Sequence, residues 1–167
     1  TTTAGPVWSF RLPAATATPD FVFVSTAAEA DPLSKPITIT TASPSTAWTL
    51  TENVPWLSLT ANSGTGGQTV TLQFDSTGLS AGGHVTNLTL SSGGDSVQIP
   101  ISLRILGALN IVKLLPDPVL PRVYALHTDT VSNESWLLWI DPATARVQHV
   151  NFIGLSIIDF TVHALDD

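Results

Sequence analysis

Apolar and polar residues alternate along most of the chain, which is the period-two pattern of strands that bury one face. In residues 70–74, Val70, Leu72 and Phe74 fall on one side while Thr71 and Gln73 fall on the other. Seven short segments of this type follow one another: 21–25, 37–41, 48–51, 56–59, 69–74, 85–90 and 97–105. Clusters of Gly, Pro, Asn and Asp separate them, and no sustained helical period occurs. The pattern predicts an all-β protein built around a sandwich.

Proline positions refine this prediction at two places. Pro100 interrupts the last predicted strand and cannot donate to a ladder, so that strand lies at an edge or Pro100 faces away from its partner. Residues 1–17 hold one alternating run, from Val7 to Phe10, with Pro on either side. We interpret 1–17 as a lone strand or extended segment, with a spacer over 13–19.

Five ordered segments stand out in the middle of the chain, residues 18–106. They are Trp48-Thr49-Leu50, Pro55-Trp56-Leu57-Ser58-Leu59, Ser63-Gly64-Thr65-Gly66, Gly78-Leu79-Ser80-Ala81-Gly82 and the closing strand 99–105. Through these segments the region resembles the BACON family of bacterial immunoglobulin-like repeats. The resemblance implies an immunoglobulin-like sandwich and, as a family-level inference, glycan binding. One departure is His84, which stands where such repeats often place Tyr or Arg.

The sequence changes character after Gly107. Leu115-Pro116-Asp117-Pro118 reads as a rigid connector, because proline fixes φ at two of the four positions. Strand patterns follow at 122–126, 135–140, 147–152 and 159–165, with an Asp141-Pro142-Ala143-Thr144 turn before Val147. This region, 107–167, resembles one blade of a β-propeller over about residues 112–167. A closed propeller needs about four to eight blades, and the chain holds one.

Composition and charge exclude several classes of function. Only 11% of residues are charged, the net charge is −7, and the six Lys and Arg are scattered singly. Nucleic-acid binding needs a basic stripe, so we exclude it; no apolar run is long enough for membrane insertion. The chain has no Cys, which excludes thiol chemistry and Cys-based zinc sites.

The compartment is inferred from residue usage. A Thr- and Ser-rich, Lys-poor sequence is typical of exported bacterial proteins. The chain starts at Thr1 and contains no Met. We therefore expect an extracellular or cell-surface protein, as a processed chain or a fragment.

Tryptophans are the candidate contacts with a partner or a glycan. Trp48 and Trp56 lie in strands of the sandwich pattern, so we expect them in the core. Trp136 and Trp139 differ in parity along one strand and must point to opposite faces. Trp8 lies in the N-terminal run. We take Trp8, Trp136 and Trp139 as the candidate contact residues.

Catalytic signatures are missing from the sequence. It contains no G-x-S-x-G and no H-E-x-x-H, and the acidic residues form no calcium loop. Asp141 precedes Pro142, as a turn former does. We expect a non-enzymatic protein without cofactor or metal.

These observations leave three hypotheses open. The first is an extracellular structural module, a surface or filament subunit whose copies assemble by β-strand addition. The second is a carbohydrate-binding module of the BACON type. The third is an N-terminal spacer fragment of a larger secreted β-propeller protein.

Overall fold

A computed structural model describes residues 12–27, 32–130, 132–157 and 159–161. The described residues form strands and turns without a helix. The strands are β1 (Ala15–Thr18), β2 (Val22–Ala27), β3 (Leu33–Thr41), β4 (Ala47–Thr51), β5 (Leu57–Leu59), β6 (Ser63–Thr65), β7 (Gln68–Phe74), β8 (Gly82–Ser92), β9 (Asp95–Leu106), β10 (Ile111–Pro116), β11 (Val123–Thr128), β12 (Glu134–Asp141) and β13 (Arg146–Leu155). The all-β prediction is confirmed.

Two sheets face each other as an immunoglobulin-like sandwich, also as predicted. Sheet A has the strand order β1-β3-β7-β5, and sheet B has the order β2-β9-β8-β4-β6. Neighbouring strands are antiparallel except β2 and β9, which run parallel from Val22 opposite Ile101 to Ala27 opposite Leu106. Inward residues of both sheets form one core that contains, among others, Ile37, Ile39, Val70, Leu72, Leu88, Leu90, Ile99, Ile101 and Leu103.

The two sandwich tryptophans are in the core, as the sequence predicts. Trp48 and Trp56 are both buried, and Trp56 stacks on Phe74. The indole Nε1–H of Trp48 donates to the carbonyl of Gly66 at 2.9 Å, which satisfies the polar group of a buried ring. Neither ring is available to a ligand.

Each of the seven predicted sandwich strands is present, but two more were missed. The spacer expected at 13–19 is wrong, because Ala15–Thr18 forms β1 and pairs with β3. Its buried residues are Ala15 and Ala17, whose small side chains give a weak alternation signal. Strand β6, expected as a turn, pairs with β4 and contains only Ser, Gly and Thr.

The position of Pro100 is compatible with β9 lying in the interior of sheet B. On one side β9 pairs with β8 along its whole length, and Pro100 lies opposite Asn87 there. On the other side the pairing with β2 begins only at Ile101. Pro100 therefore lies just before the stretch that pairs with β2, where it could not donate a main-chain hydrogen bond. The edge-strand alternative is wrong for β9 as a whole.

Residues 111–155 form a third, four-stranded antiparallel sheet, sheet C, in the order β10-β11-β12-β13. Predicted strands 122–126, 135–140 and 147–152 correspond to β11, β12 and β13. The connector prediction over 115–118 is wrong for Leu115 and Pro116, which end β10. The predicted strand at 159–165 is wrong at 159–161, which are not in a strand; the rest lies outside the described residues.

One face of sheet C packs on the outer face of sheet B near the ends of β2 and β9. Leu106 of β9 joins Ala125, Trp136, Leu138 and Val150 in a second buried cluster. Two polar contacts cross the same boundary. Ser25 Oγ donates to the carbonyl of Val150 at 3.0 Å, and Arg104 forms an ion pair with Glu134 at 3.3 Å. Sheet C is thus attached to the sandwich by apolar and polar contacts together.

Candidate functional site

The candidate tryptophans of sheet C point to opposite faces, as their parity predicts. Trp136 is 2% exposed and lies between sheets B and C, with its ring edge-on to Phe152 at 5.1 Å. A partner cannot reach it, so Trp136 is wrong as a contact candidate, because strand β12 turns it towards sheet B. Trp8 lies outside the described residues and remains a prediction.

Trp139 is half-buried on the outer face of sheet C, and the side chains of Arg122 and His149 lie against its ring. The guanidinium of Arg122 lies 4.5 Å from the ring centroid. His149 of β13, on the other side of β12, stacks at 4.7 Å with an interplanar angle of 22°. A sugar that stacked on Trp139 would compete with these two neighbours for the ring.

Asp117 holds Arg122 in this stack. Its carboxylate accepts from the main-chain N–H groups of Leu120 and Val119 and from Arg122 Nε, at 2.8–2.9 Å. These bonds, those from Leu120 and Val119 first, lower the pKa of Asp117 from 3.8 to about 2. The ion pair therefore persists over the physiological pH range, and it fixes the position of Arg122.

Among the described strands, β10 is paired on one side only, and it carries exposed apolar side chains. Five of the twelve large exposed hydrophobic residues among those described fall between 109 and 120: Leu109, Val112, Leu114, Val119 and Leu120. Two of the five, Val112 and Leu114, lie on β10 itself, and exposed apolar patches of this kind often mark contact surfaces. The one cation of β10, Lys113, bonds Asp159 and the carbonyl of Phe160, so its charge does not shield the edge.

The register between β10 and β11 determines which main-chain groups of β10 face away from β11. Asp117 N donates to Arg122 O, and Leu115 pairs with Tyr124. In an antiparallel ladder alternate residues bond to the neighbour, so the N–H and C=O of Leu114 face away from β11. Among the described strands, only β11 pairs with β10.

The other edge strands either lie against a second strand or are short. Strands β2 and β13 end their sheets but lie against each other, where Ser25 of β2 bonds the carbonyl of Val150. Strands β1, β5 and β6 have four residues or fewer. Strand β10 is thus the long open edge of the described chain.

A groove runs between β2 and the start of β3 on one side and β13 on the other, with a volume of about 370 Å³. Phe23 and Phe152 stand on opposite sides, 47% and 50% exposed. Polar residues complete the lining: Ser25, Lys35, His149 and Asn151. Sequence reasoning missed this groove, because its residues come together only through the packing of sheet C on sheet B.

Several of the described acidic and histidine residues have structural partners. Asp141 accepts from Ala143 N and Thr144 Oγ1, which confirms its role as a turn former. His127 is buried, and its Nδ1 accepts from Asn110 N at 2.9 Å. No group of three or more potential metal ligands occurs within the described ranges. Nor does any helix there have the length and apolarity to span a membrane.

Comparisons with known proteins give structural likenesses only. No protein-family model matches the sequence, and none of the curated proteins matches it. A Bacteroides ovatus GH5 xyloglucanase is 15% identical with a TM-score of 0.47; the match covers 62% of this chain and 21% of that enzyme, so the chain spans about a fifth of it.

Two further structures cover more of their own length. The PapD-like domain 7 of human CEP192 is 10% identical, with a TM-score of 0.49 over 65% of this chain and 98% of that one. A Bacteroides ovatus protein described as a proposed carbohydrate-binding protein is 10% identical, with a TM-score of 0.44. The match covers 89% of this chain and 72% of that one. Because these identities and TM-scores are low, the fold assignment rests on the observed sheets, and no ligand of these proteins is assigned to this chain.

Proposed function

We propose that this chain is a non-catalytic interaction module of the cell exterior whose copies associate by β-strand addition at β10. The observation that carries the proposal is the open β10 edge, where Val112 and Leu114 are 48% and 57% exposed. An edge strand with unpaired main-chain groups and exposed apolar residues is a template for another strand. The extracellular setting is proposed from residue usage alone.

The donor that we propose is the run 7–10 of another copy, which lies outside the described residues. Its sequence alternates, with Trp8 and Phe10 on one side and Val7 and Ser9 on the other. An N-terminal donor and a β10 acceptor are different surfaces, so the contact is head-to-tail. Such a contact makes rings if its rotation closes and filaments if it does not.

The size of the edge sets the expected affinity. Six residues at about 3.3 Å each give an edge of about 20 Å. Val112 and Leu114 are already half-covered, so their full burial contributes about 1 kcal/mol each, half of the usual value for a large aliphatic side chain. One such contact is weak by itself. We therefore expect association at high concentration, or through several contacts in a row.

The experiment measures molar mass by light scattering up to a high protein concentration. Leu114→Pro removes the outward N–H while leaving the bonds from β10 to β11, and Leu114→Lys adds a charge to the edge. Both should lower the mass of any assembly. Val85→Lys is the matched control, because Val85 is an exposed strand residue far from β10 in sequence.

Removal of residues 1–11 tests the donor separately. Loss of assembly in this truncation and in both Leu114 variants supports the proposal as a whole. Assembly that survives truncation but not the Leu114 variants leaves β10 as the acceptor and excludes the N-terminal donor. A wild-type chain that stays monomeric at every concentration contradicts the proposal.

Carbohydrate binding, which the BACON resemblance implies, gains no support from the described tryptophans. Three of the four are buried, and Arg122 and His149 lie against the ring of Trp139. The propeller-fragment hypothesis concerns the same open edge, since a further blade of a longer protein could lie beside β10. Light scattering on a longer chain that contains such blades would show a monomer in that case.

A further inference from the structure

The last described residues run from one edge of sheet C to the other. After β13, residues 156–157 and 159–161 form a short segment that we call the strap. The strap starts at β13, and it ends where the carbonyl of Phe160 accepts from Nζ of Lys113 in β10 at 2.8 Å. Asp159 forms an ion pair with the same ammonium. The strap therefore carries the chain to the strand that has no described partner on its outward side.

The strap lies on the face of sheet C that points away from sheet B. Trp136 faces sheet B, so its neighbour Ser135 points to the opposite face, as does Thr128 across from it in β11. Both hydroxyls bond the main chain of Ile157. Ser135 Oγ accepts from Ile157 N at 2.9 Å, and Thr128 Oγ1 donates to Ile157 O at 3.3 Å. Leu126 on the same face is fully buried, as a residue beneath the strap would be. Contacts with β12, β11 and β10 thus fix the path of the strap.

We propose that residues 162–167, which follow the strap, pair with the outward side of β10 in the same chain and cap it against other copies. This inference rests on the function proposed above, because the cap regulates the same edge. The segment itself lies outside the described residues. The reason for placing it at β10 is the path of the strap, which brings Thr161 to this side of sheet C.

The length and the hydrogen-bonding groups of the segment fit this arrangement. Six residues in a strand span about 20 Å, and β10 also has six residues. The N–H and C=O of Leu114 face away from β11, and an added strand would cover the exposed side chains of Val112 and Leu114. The sequence of 162–167 contains no proline, so each of its residues can donate to a neighbouring strand. Covering an edge with another part of the chain is a common protection against unwanted pairing.

The contact between the strap and Lys113 makes the cap persistent but displaceable. Hydrogen bonds from Lys113 and then from Phe160 N lower the pKa of Asp159, so the ion pair is present at neutral pH. Asp159 is 68% exposed, and exposed ion pairs hold only weakly. A tethered segment has a local concentration on the order of millimolar. A donor strand from another copy therefore displaces the cap only at high protein concentration.

The test compares the full chain with a variant that lacks residues 162–167. In light scattering, the truncated chain should assemble at a concentration at least about tenfold lower, which corresponds to a cap that is closed in about nine of ten molecules. Hydrogen exchange in dilute chains, below the concentration of assembly, measures the cap by itself. The Leu114 amide should exchange about tenfold faster after truncation. The Leu115 amide is the internal control, because Leu115 pairs with Tyr124 in both chains.

Two proline variants test whether the segment is a strand. An edge strand tolerates proline only where the main-chain N–H faces solvent. Neighbouring residues of a strand point their N–H groups to opposite sides. Of Ala164→Pro and Leu165→Pro, one should therefore speed exchange of the Leu114 amide as truncation does, and the other should leave it slow. Each variant is thus the matched control for the other.

Several outcomes would overturn the cap. They are an unchanged Leu114 exchange rate after truncation, equal effects of the two proline variants, or loss of assembly on truncation, which would make 162–167 a donor to other copies. If both chains assemble at the same concentration, the cap is wrong and strand addition at β10 stands. If neither chain assembles, the function proposed above is wrong, while exchange at Leu114 still decides the cap.

Discussion

Replacing Gly64 by alanine places a methyl group against the indole ring of Trp48. A Cβ built at Gly64 lies 2.4 Å from Cζ2 of Trp48 and 2.4 Å from Oε1 of Gln68. Its backbone is outside the left-handed region, so alanine is conformationally acceptable there. Any loss of stability must therefore come from the collision, which makes this glycine a direct measure of the packing on Trp48.

The two neighbours differ in how easily they can move. Gln68 is exposed and can rotate away, but Trp48 is buried and tied to the Gly66 carbonyl by a 2.9 Å hydrogen bond. Forcing an extra methyl into a packed site costs about 1–3 kcal/mol. Replacing glycine returns about 0.4–1 kcal/mol by restricting the unfolded chain. We expect a net loss of about 1–2 kcal/mol, or about 2–8 °C in Tm for a chain of this size.

Urea unfolding and thermal unfolding, both followed by circular dichroism, measure this loss. Gly83→Ala is the control, since Gly83 is a strand glycine with nothing within 4 Å of its built Cβ. It should be neutral or slightly stabilising. In a Trp48→Phe background the benzo ring is gone, so Gly64→Ala should cost less by about 0.5 kcal/mol or more. If Gly64→Ala is as stable as Gly83→Ala, the close approach of Gly64 to Trp48 is refuted.

Two further predictions concern sheet C. Hydrogen bonds from the main-chain N–H groups of Leu120 and Val119 are the main cause that lowers the pKa of Asp117 to about 2. The carboxylate therefore stabilises the folded chain above about pH 4, and this stabilisation is lost as the pH falls towards 2. Asp117→Asn should flatten that part of the stability profile, and NMR titration of Asp117 checks the pKa. Ser135 Oγ accepts from Ile157 N at 2.9 Å, so Ser135→Ala should destabilise the docking of Ser156 and Ile157 by about 1–2 kcal/mol, seen as faster hydrogen exchange there while the sandwich is unchanged.

Alternation predicted the sandwich strands because large aliphatic side chains mark the buried face. It failed at β1 and β6, where the buried or pairing residues are Ala, Gly, Ser and Thr. It failed at β10 for a different reason. The edge position leaves Val112 and Leu114 exposed, and two prolines nearby suggested a connector. A strand that pairs on one side and buries little carries a weak sequence signal.

Side-chain parity predicted that Trp136 and Trp139 diverge, but not which of them is covered. That depends on the face of sheet C that meets sheet B, and contacts such as Ser25 with Val150 join residues 125 positions apart. The groove has the same origin, since Phe23 and Phe152 are brought together by sheet packing. No local pattern encodes this meeting, so the sequence alone could not indicate the site.

Strand addition at β10 can be tested apart from the groove beside β13, because the two lie at opposite edges of sheet C. Strand β10 ends the sheet on one side, and β13, with the groove, ends it on the other. Leu114→Lys should abolish assembly, whereas Phe23→Ala, which changes the groove only, should leave assembly unchanged. If Phe23→Ala also prevents assembly, the donor strand or a neighbouring copy occupies the groove. The exposed phenylalanines Phe23 and Phe152 would then belong to the contact between chains.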